Sequence, residues 1–305
     1  MIGRRSLTWR PRQTTVLLAC ALAALVLIPG LMVSGMQAKV DVLRIGTSGT
    51  LTAENETSKE KGATETLKGF IKEETGLNDI IERQKDWREL ADKMAKGQLH
   101  LGVFQGYEFA WAQEKYNNLQ PLALAENIYL YPVAYAVAQR SNPVKDFAGL
   151  QGQTLCLPNT GQHYLRLFAE HESQASGKNL KAFFAKITTE DNAEDVLDDV
   201  VDGKAQAAVV DRAALEAYKR RKPGRFNQLK EIAKSPPFPP VTVAYYDKVL
   251  DEATLRRFRD GLLNAKKKEK GRTMLTLFKL TGFDAVPKDF EKVLTDTRKT
   301  YPPPK

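Results

Sequence analysis

Cysteine is almost absent from this chain. Of 305 residues two are cysteines: Cys20, in an apolar run near the N-terminus, and Cys156 in the body of the sequence. Export with loss of the first segment leaves one thiol, so no intrachain disulfide forms and the fold must rest on its core. Histidine is nearly as scarce, and His100, His163 and His171 are too scattered for metal-ligand spacing. No P-loop, no nucleotide-binding glycine fingerprint and no HExxH motif occurs. No cofactor and no metal are expected. Acidic residues are in deficit, with a formal net charge of +9. Arg4, Arg5, Arg10 and Arg12 supply four of those charges and residues 1–35 carry no acid, so the remainder stands at +5. Its densest basic patch, Lys266-Lys267-Lys268-Glu269-Lys270, reads as a solvated helix face. Without interleaved aromatic residues, and in an exported chain, it does not point to nucleic acid.

What is present begins with a leader. The four arginines precede an uncharged run from Thr14 to Gln37 containing VLLACALAALVLI, with a basic flank on one side only. Residues 1–35 are therefore read as a signal peptide cleaved after Gly35, or as an N-terminal membrane anchor, since about 20 apolar residues can span a bilayer. The rest of the chain, with 42% apolar and 27% charged residues overall, is long enough for one large or two ordinary domains.

The middle of the sequence holds a repeat. Leu90 to Ala112, LADKMAKGQLHLGVFQGYEFAWA, and Val196 to Tyr218, VLDDVVDGKAQAAVVDRAALEAY, follow one plan. Each is a helix ended by glycine (Gly97, Gly203), a short strand, a polar residue at the strand's C-terminal end (Gln105, Asp211) and a new helix. Upstream, VLRIG runs into Thr47-Ser48-Gly49-Thr50 and TLCLP into Asn159-Thr160-Gly161-Gln162-His163, each followed by a helix. Alternating strands and helices imply βαβ units, mainly parallel sheets and an α/β fold of two similar lobes. Ligands of open α/β sheets sit outside the C-terminal ends of strands, so residues 47–50, 105–107, 159–163 and Asp211 converge on one cleft if the lobes face each other. IYLYPVAYAVAQR (Ile128 to Arg140) and the segment from Ser235 to Pro240 before VTVAYY are long enough to cross between lobes. Lobe 1 is then discontinuous, 40–137 plus 238–305, with lobe 2 at 138–237. The tail Tyr301-Pro302-Pro303-Pro304-Lys305 is expected to be disordered.

The strand ends supply the candidate contacts. Thr160 and the N–H groups near Gly161 and Gln162 suit an anion at a helix start, while Asn159 or Thr160 can equally cap that helix. His163 either donates to a ligand oxygen or simply opens the helix. Thr47, Ser48 and Thr50 form the matching turn of lobe 1, and Gln105 and Tyr107 end a strand, facing either a ligand or their own backbone. Asp211 suits a ligand ammonium, or an N-cap for RAALEAYKRR, or both. Cys156 and His163 can be drawn as a nucleophilic pair, but a thiol inside an apolar strand reads as buried and inert, and no enzyme is expected.

This organisation resembles the type II periplasmic binding proteins, and within them the phosphate/phosphonate-binding group of ABC transporter components. The resemblance runs from about Val42 to Leu294 and rests on LRIGTSGTLT, WRELADKMAKGQLHLGVFQGYEFA, YPVAYAVAQRSNPVKDFAGLQGQTLCLPN, GKAQAAVVD and EIAKSPPFPPVTVAYYDKVLDEATLRRFRDGLL. It implies a two-lobed fold with the ligand in the cleft, closure on a hinge, and delivery of a small oxyanion-bearing ligand to an ABC permease by a monomer. The alternative is a tethered sensor of the same fold without a transport role. The resemblance also implies an aromatic contact from Tyr131 or Tyr135. One departure touches the ligand: where phosphonate binders carry a turn resembling Ser-Thr-Ser-Gly, this chain has Asn159-Thr160-Gly161-Gln162-His163, with a single hydroxyl.

Overall fold

A computed structural model describes residues 40–51 and 58–304. The leader, residues 1–35, lies outside the described residues. Among those described, no helix is long and apolar enough to cross a membrane.

In chain order the strands are β1 (Val42–Ser48), β2 (Asn78–Gln84), β3 (Leu101–Phe104), β4 (Leu119–Glu126), β5 (Ala134–Gln139), β6 (Thr154–Pro158), β7 (Lys186–Glu190), β8 (Ala207–Asp211), β9 (Leu229–Lys234), β10 (Thr242–Tyr246) and β11 (Gly282–Asp284). They form two sheets, ordered β11-β4-β10-β3-β1-β2 and β7-β6-β8-β5-β9. In the first, β1 is parallel to β2 and β3, and in the second β6 is parallel to β7 and β8. In each sheet one strand runs against the parallel set beside it, β10 against β3 and β5 against β8. These are the two strands that arrive from the other lobe, so each crossing reverses direction as it joins its new sheet.

The repeat has a local cause. Asp86 caps the helix Trp87–Ala95 by accepting from the N–H groups of Arg88 and Glu89, and Asn192 caps Ala193–Val201 by accepting from those of Glu194 and Asp195. Gly97 and Gly203 then close these helices at φ +68° and +73°, a conformation that costs a residue with a Cβ. Glycine also lets the first helix approach its sheet: a Cβ on Gly102 would stand 2.4 Å from Met94 Sδ.

Three apolar clusters hold the molecule together. One lies on the outer side of the first sheet around Leu43, Phe70 and Phe258, and one on the outer side of the second around Cys156, Val196 and Tyr218. The third is continuous between the lobes, from Leu90 and Trp111 through Phe238 and Tyr301 to Leu155, Phe168 and Phe183.

The change of sheet falls within 127–133 and 235–241. Since β5 belongs to the second sheet from Ala134 onward, the first crossing lies ahead of the 137/138 boundary expected from sequence. It is also bent rather than extended. Ile128 sits at φ +64° inside a three-residue turn closed by Tyr129 N–H to Asn127 O at 2.7 Å, an unusual conformation for a β-branched residue. The crossings run side by side: Ser235 N–H donates to Ala134 O at 2.9 Å and Phe238 N–H to Pro132 O at 2.8 Å. Between Pro236 and Pro240, Phe238 alone has an N–H to give.

Residues 301–304 of the tail are ordered, contrary to the expectation of disorder, because Tyr301 has a place in the central cluster. It is 3% exposed, stacks on Phe238 with centroids 4.6 Å apart and meets His171 edge-on at 5.0 Å. Trp111 Nε1–H donates to its carbonyl at 2.7 Å and Arg88 Nη2 to that of Pro304 at 2.7 Å. The basic patch is paired rather than merely solvated: Lys266 with Glu126, Lys268 with Glu74, Lys270 with Glu73.

Candidate ligand-binding site

The C-terminal ends of β1, β3, β6 and β8 meet where the lobes touch. From lobe 1, Gln105 Nε2 donates to the carbonyl of Gly161 in lobe 2 at 2.8 Å. The His163 ring lies beside the Thr50 backbone. His163 keeps an exposed edge, yet desolvation at this junction holds its pKa below the ordinary imidazole value.

The lobe-2 wall is organised by Asp211, 7% exposed. Its Oδ1 accepts from the Ala214 N–H at 2.6 Å, capping the helix Arg212–Arg221. Its Oδ2 accepts from Gln162 Nε2 at 2.6 Å, and the Tyr164 ring lies beside the carboxylate. Thr160 Oγ1 reaches Gln162 Oε1 at 3.4 Å. The helix His163–Ala175 begins with Gln162 as its cap residue and no side-chain cap bond. Neither Asn159 nor Thr160 caps it, so the helix-cap alternative for that turn fails and first-turn N–H groups stay without a side-chain acceptor.

The lobe-1 wall is organised by Glu108, 2% exposed, in the first turn of the helix Gly106–Lys115. Thr50 Oγ1 donates to its Oε1 at 2.9 Å, Ser48 Oγ lies 3.1 Å from Thr50 Oγ1, and the Gln105 N–H points at Oε2 at 3.4 Å. Burial pushes its pKa up, while the hydroxyls of Ser48 and Thr50 and the Gln105 N–H pull the other way. The helix start is pressed against the second crossing, where a Cβ on Gly106 would stand 1.9 Å from Pro239 O.

Thus Ser48, Thr50, Gln105, Gly161, Gln162, Thr160 and Asp211 join one polar network across the lobes, with His163 beside it at Thr50. Thr47, Tyr107 and Tyr131 lie apart from it. Alternation along β1 puts Thr47 on the face of Leu43 and Ile45, opposite Ser48. Tyr107 packs into the central cluster on Trp111 at 4.9 Å. Tyr131 donates to Asp289 Oδ1 at 3.2 Å, with burial pushing its pKa up to about 12. Tyr135 packs on the outer cluster of lobe 2.

Sequence reasoning passed over Glu108 and Tyr164. The signal for Glu108 was its spacing: a glutamate three residues after a polar strand end is the second half of a capping box. The Cys156–His163 pair does not exist. Cys156 is fully buried in the outer cluster of lobe 2, which raises its pKa. The helix that opens with His163 packs on the other face of the sheet through Leu165 and Phe168.

Residues 50–289 match the family described as ABC transporter, phosphonate, periplasmic substrate-binding protein. No curated protein matches. Among solved structures, XAC2383 from Xanthomonas citri bound to chloride ion superposes with a TM-score of 0.59 at 16% identity, over 86% of this chain and 98% of that one. PhnD1 from Prochlorococcus marinus in complex with methylphosphonate gives 0.57 at 13%, over 85% and 97%. A binding protein component of an ABC phosphonate transporter from Pseudomonas aeruginosa, PA3383, gives 0.53 at 15%, over 85% and 87%. At such identities these likenesses show the fold alone, the two-lobed fold of periplasmic binding proteins. The family match covers most of the chain, and the chain belongs to the periplasmic substrate-binding proteins of phosphonate ABC transporters, a family that binds its substrates and does not convert them.

Proposed function

We propose that this protein is the extracytoplasmic binding component of an ABC-type uptake system, and that it holds a small oxyanion-bearing, phosphonate- or phosphate-like ligand between its lobes. The observation that carries the reading is the convergence of strand ends from both lobes, with Gln105 reaching the Gly161 carbonyl at 2.8 Å beside a helix start that no side chain caps. Uncapped N–H groups favour an anion. Gln105 and Gln162 supply amide donors once the contacts they now make are exchanged for the ligand, and Asp211 stands ready for any ammonium group the ligand carries. Opening is assigned to the paired crossings at 127–133 and 235–241, and closure presents both lobes together to a permease.

A thermal-shift screen against methylphosphonate, an aminoalkylphosphonate, phosphate, sulfate and small carboxylates tests the reading. A ligand at about 100 times its dissociation constant stabilises the native state by roughly 2.7 kcal/mol. A shift with at least one phosphorus oxyanion is expected. Stabilisation by carboxylates alone, or by none of the panel, counts against it.

A further inference from the structure

Glu108 is a buried carboxylate at the cleft that neither lobe closure nor the anion-binding helix start requires. Its surroundings determine where the hydroxyl protons of lobe 1 lie. A serine or threonine hydroxyl has one proton to donate and lone pairs to accept with. The Thr50 proton goes to Glu108 Oε1 at 2.9 Å. The Ser48 hydroxyl, 3.1 Å from Thr50 Oγ1, therefore donates its own proton to Thr50, whose proton is already committed. Ser48 is fully buried and Thr50 half-buried. Both protons are therefore kept inside the cluster, and lone pairs are what Thr50 turns to the cleft. Lobe 2 has the opposite character at its helix start, where N–H groups lack a side-chain cap.

We propose that Glu108 is a specificity-determining positioning residue: by drawing the Thr50 proton to itself, and so leaving Thr50 to accept that of Ser48, it makes the lobe-1 wall an acceptor, so the site takes an oxyanion that keeps a proton of its own, such as a monoprotonated phosphonate, and rejects one that has none, such as sulfate. The inference rests on the two-lobed oxyanion reading above. A protonated ligand oxygen donates to Thr50 while its charged oxygens face the lobe-2 helix start. A fully deprotonated anion sets lone pair against lone pair, with a carboxylate behind them, and nothing there compensates the desolvation.

The test is calorimetric titration of methylphosphonate and of sulfate, near pH 7, into the wild type and into Glu108→Gln, Glu108→Asp and Thr50→Val. In Glu108→Gln the amide nitrogen donates to the hydroxyl pair and releases a proton toward the cleft. The preference for methylphosphonate over sulfate is expected to fall by about tenfold or more, the scale of one hydrogen bond to a charged group. Glu108→Asp keeps the charge and should keep the preference. A purely structural loss weakens both ions alike and leaves their ratio alone. If Glu108→Gln does not fold, Thr50→Val decides: loss of methylphosphonate affinity with sulfate unchanged supports the acceptor role, and equal or greater loss of sulfate overturns it. A wild type that binds methylphosphonate with the same ratio as Glu108→Gln overturns the role of Glu108 alone. A wild type that binds neither ion overturns it together with the oxyanion reading.

Discussion

Asp211 has two structural partners before any ligand arrives, the Ala214 N–H and the Gln162 amide. Asp211→Ala removes a helix cap and the acceptor of the Gln162 amide, so a loss of about 2–3 kcal/mol is expected in denaturant unfolding. Asp211→Asn keeps a cap oxygen and should recover most of it, which separates the fold from any ligand role of the charge. A loss under about 0.5 kcal/mol in the alanine variant, the range of an ordinary surface change, would contradict the partner assignment. His100, at the other end of the strands, gives a pH effect of defined sign. Its Nδ1 accepts the Arg44 N–H at 3.0 Å, and burial, aided by the Arg44 charge, lowers its pKa. The unfolded chain therefore protonates this group first, near the ordinary value of about 6.5. The stability contributed by neutral His100 is complete above that value and is lost as pH falls through the lower folded-state pKa. The melting temperature should drop between pH 7 and pH 5. His163, shifted the same way, adds to the slope, so His100→Asn, whose amide oxygen still accepts from Arg44, should shallow the drop without abolishing it. An unchanged slope would remove His100 from the explanation.

The helices and the tail show where sequence is and is not sufficient. The glycine-ended helices and the polar strand ends were legible because backbone conformation at Gly97 and Gly203 and the side-chain caps are local properties. Glu108 was not, since a glutamate in GYEFAWA reads as a solvated turn until the Thr50 hydroxyl and the Gln105 N–H, just past the ends of β1 and β3, are seen around it. Tyr301 was hidden for a similar reason: a proline-rich end carries no local signal that Trp111, Phe238 and His171 form its seat. The seat makes a prediction about this element. The Tyr301 hydroxyl is buried without a hydrogen-bond partner, so Tyr301→Phe should be neutral or stabilising by up to about 1 kcal/mol. Tyr301→Ala, which empties an aromatic site between the lobes, should cost about 3–4 kcal/mol. Equal losses from both substitutions in denaturant unfolding would mean that the hydroxyl is paired after all.

Across the whole molecule, the strand that runs against the parallel set in each sheet, β5 or β10, comes from the far side of a crossing, and the crossings bond to each other before parting. That exchange explains why the two lobes were readable as a repeat while the position of the first crossing was not. Tyr135 and Val137 alternate like any strand, and only pairing with β8 and β9 shows that they have already changed sheets. It also gives the cleft its defining property, that polar groups from two separate sheets meet at a single place. The most direct test is titration of methylphosphonate into the wild type, Gln105→Ala from lobe 1 and Gln162→Ala from lobe 2. The account predicts saturable one-site binding that each substitution weakens by about tenfold or more, the scale of a hydrogen bond to a charged ligand, while each variant still unfolds cooperatively. Binding that survives both substitutions unchanged would place the ligand elsewhere and contradict a site shared between the lobes.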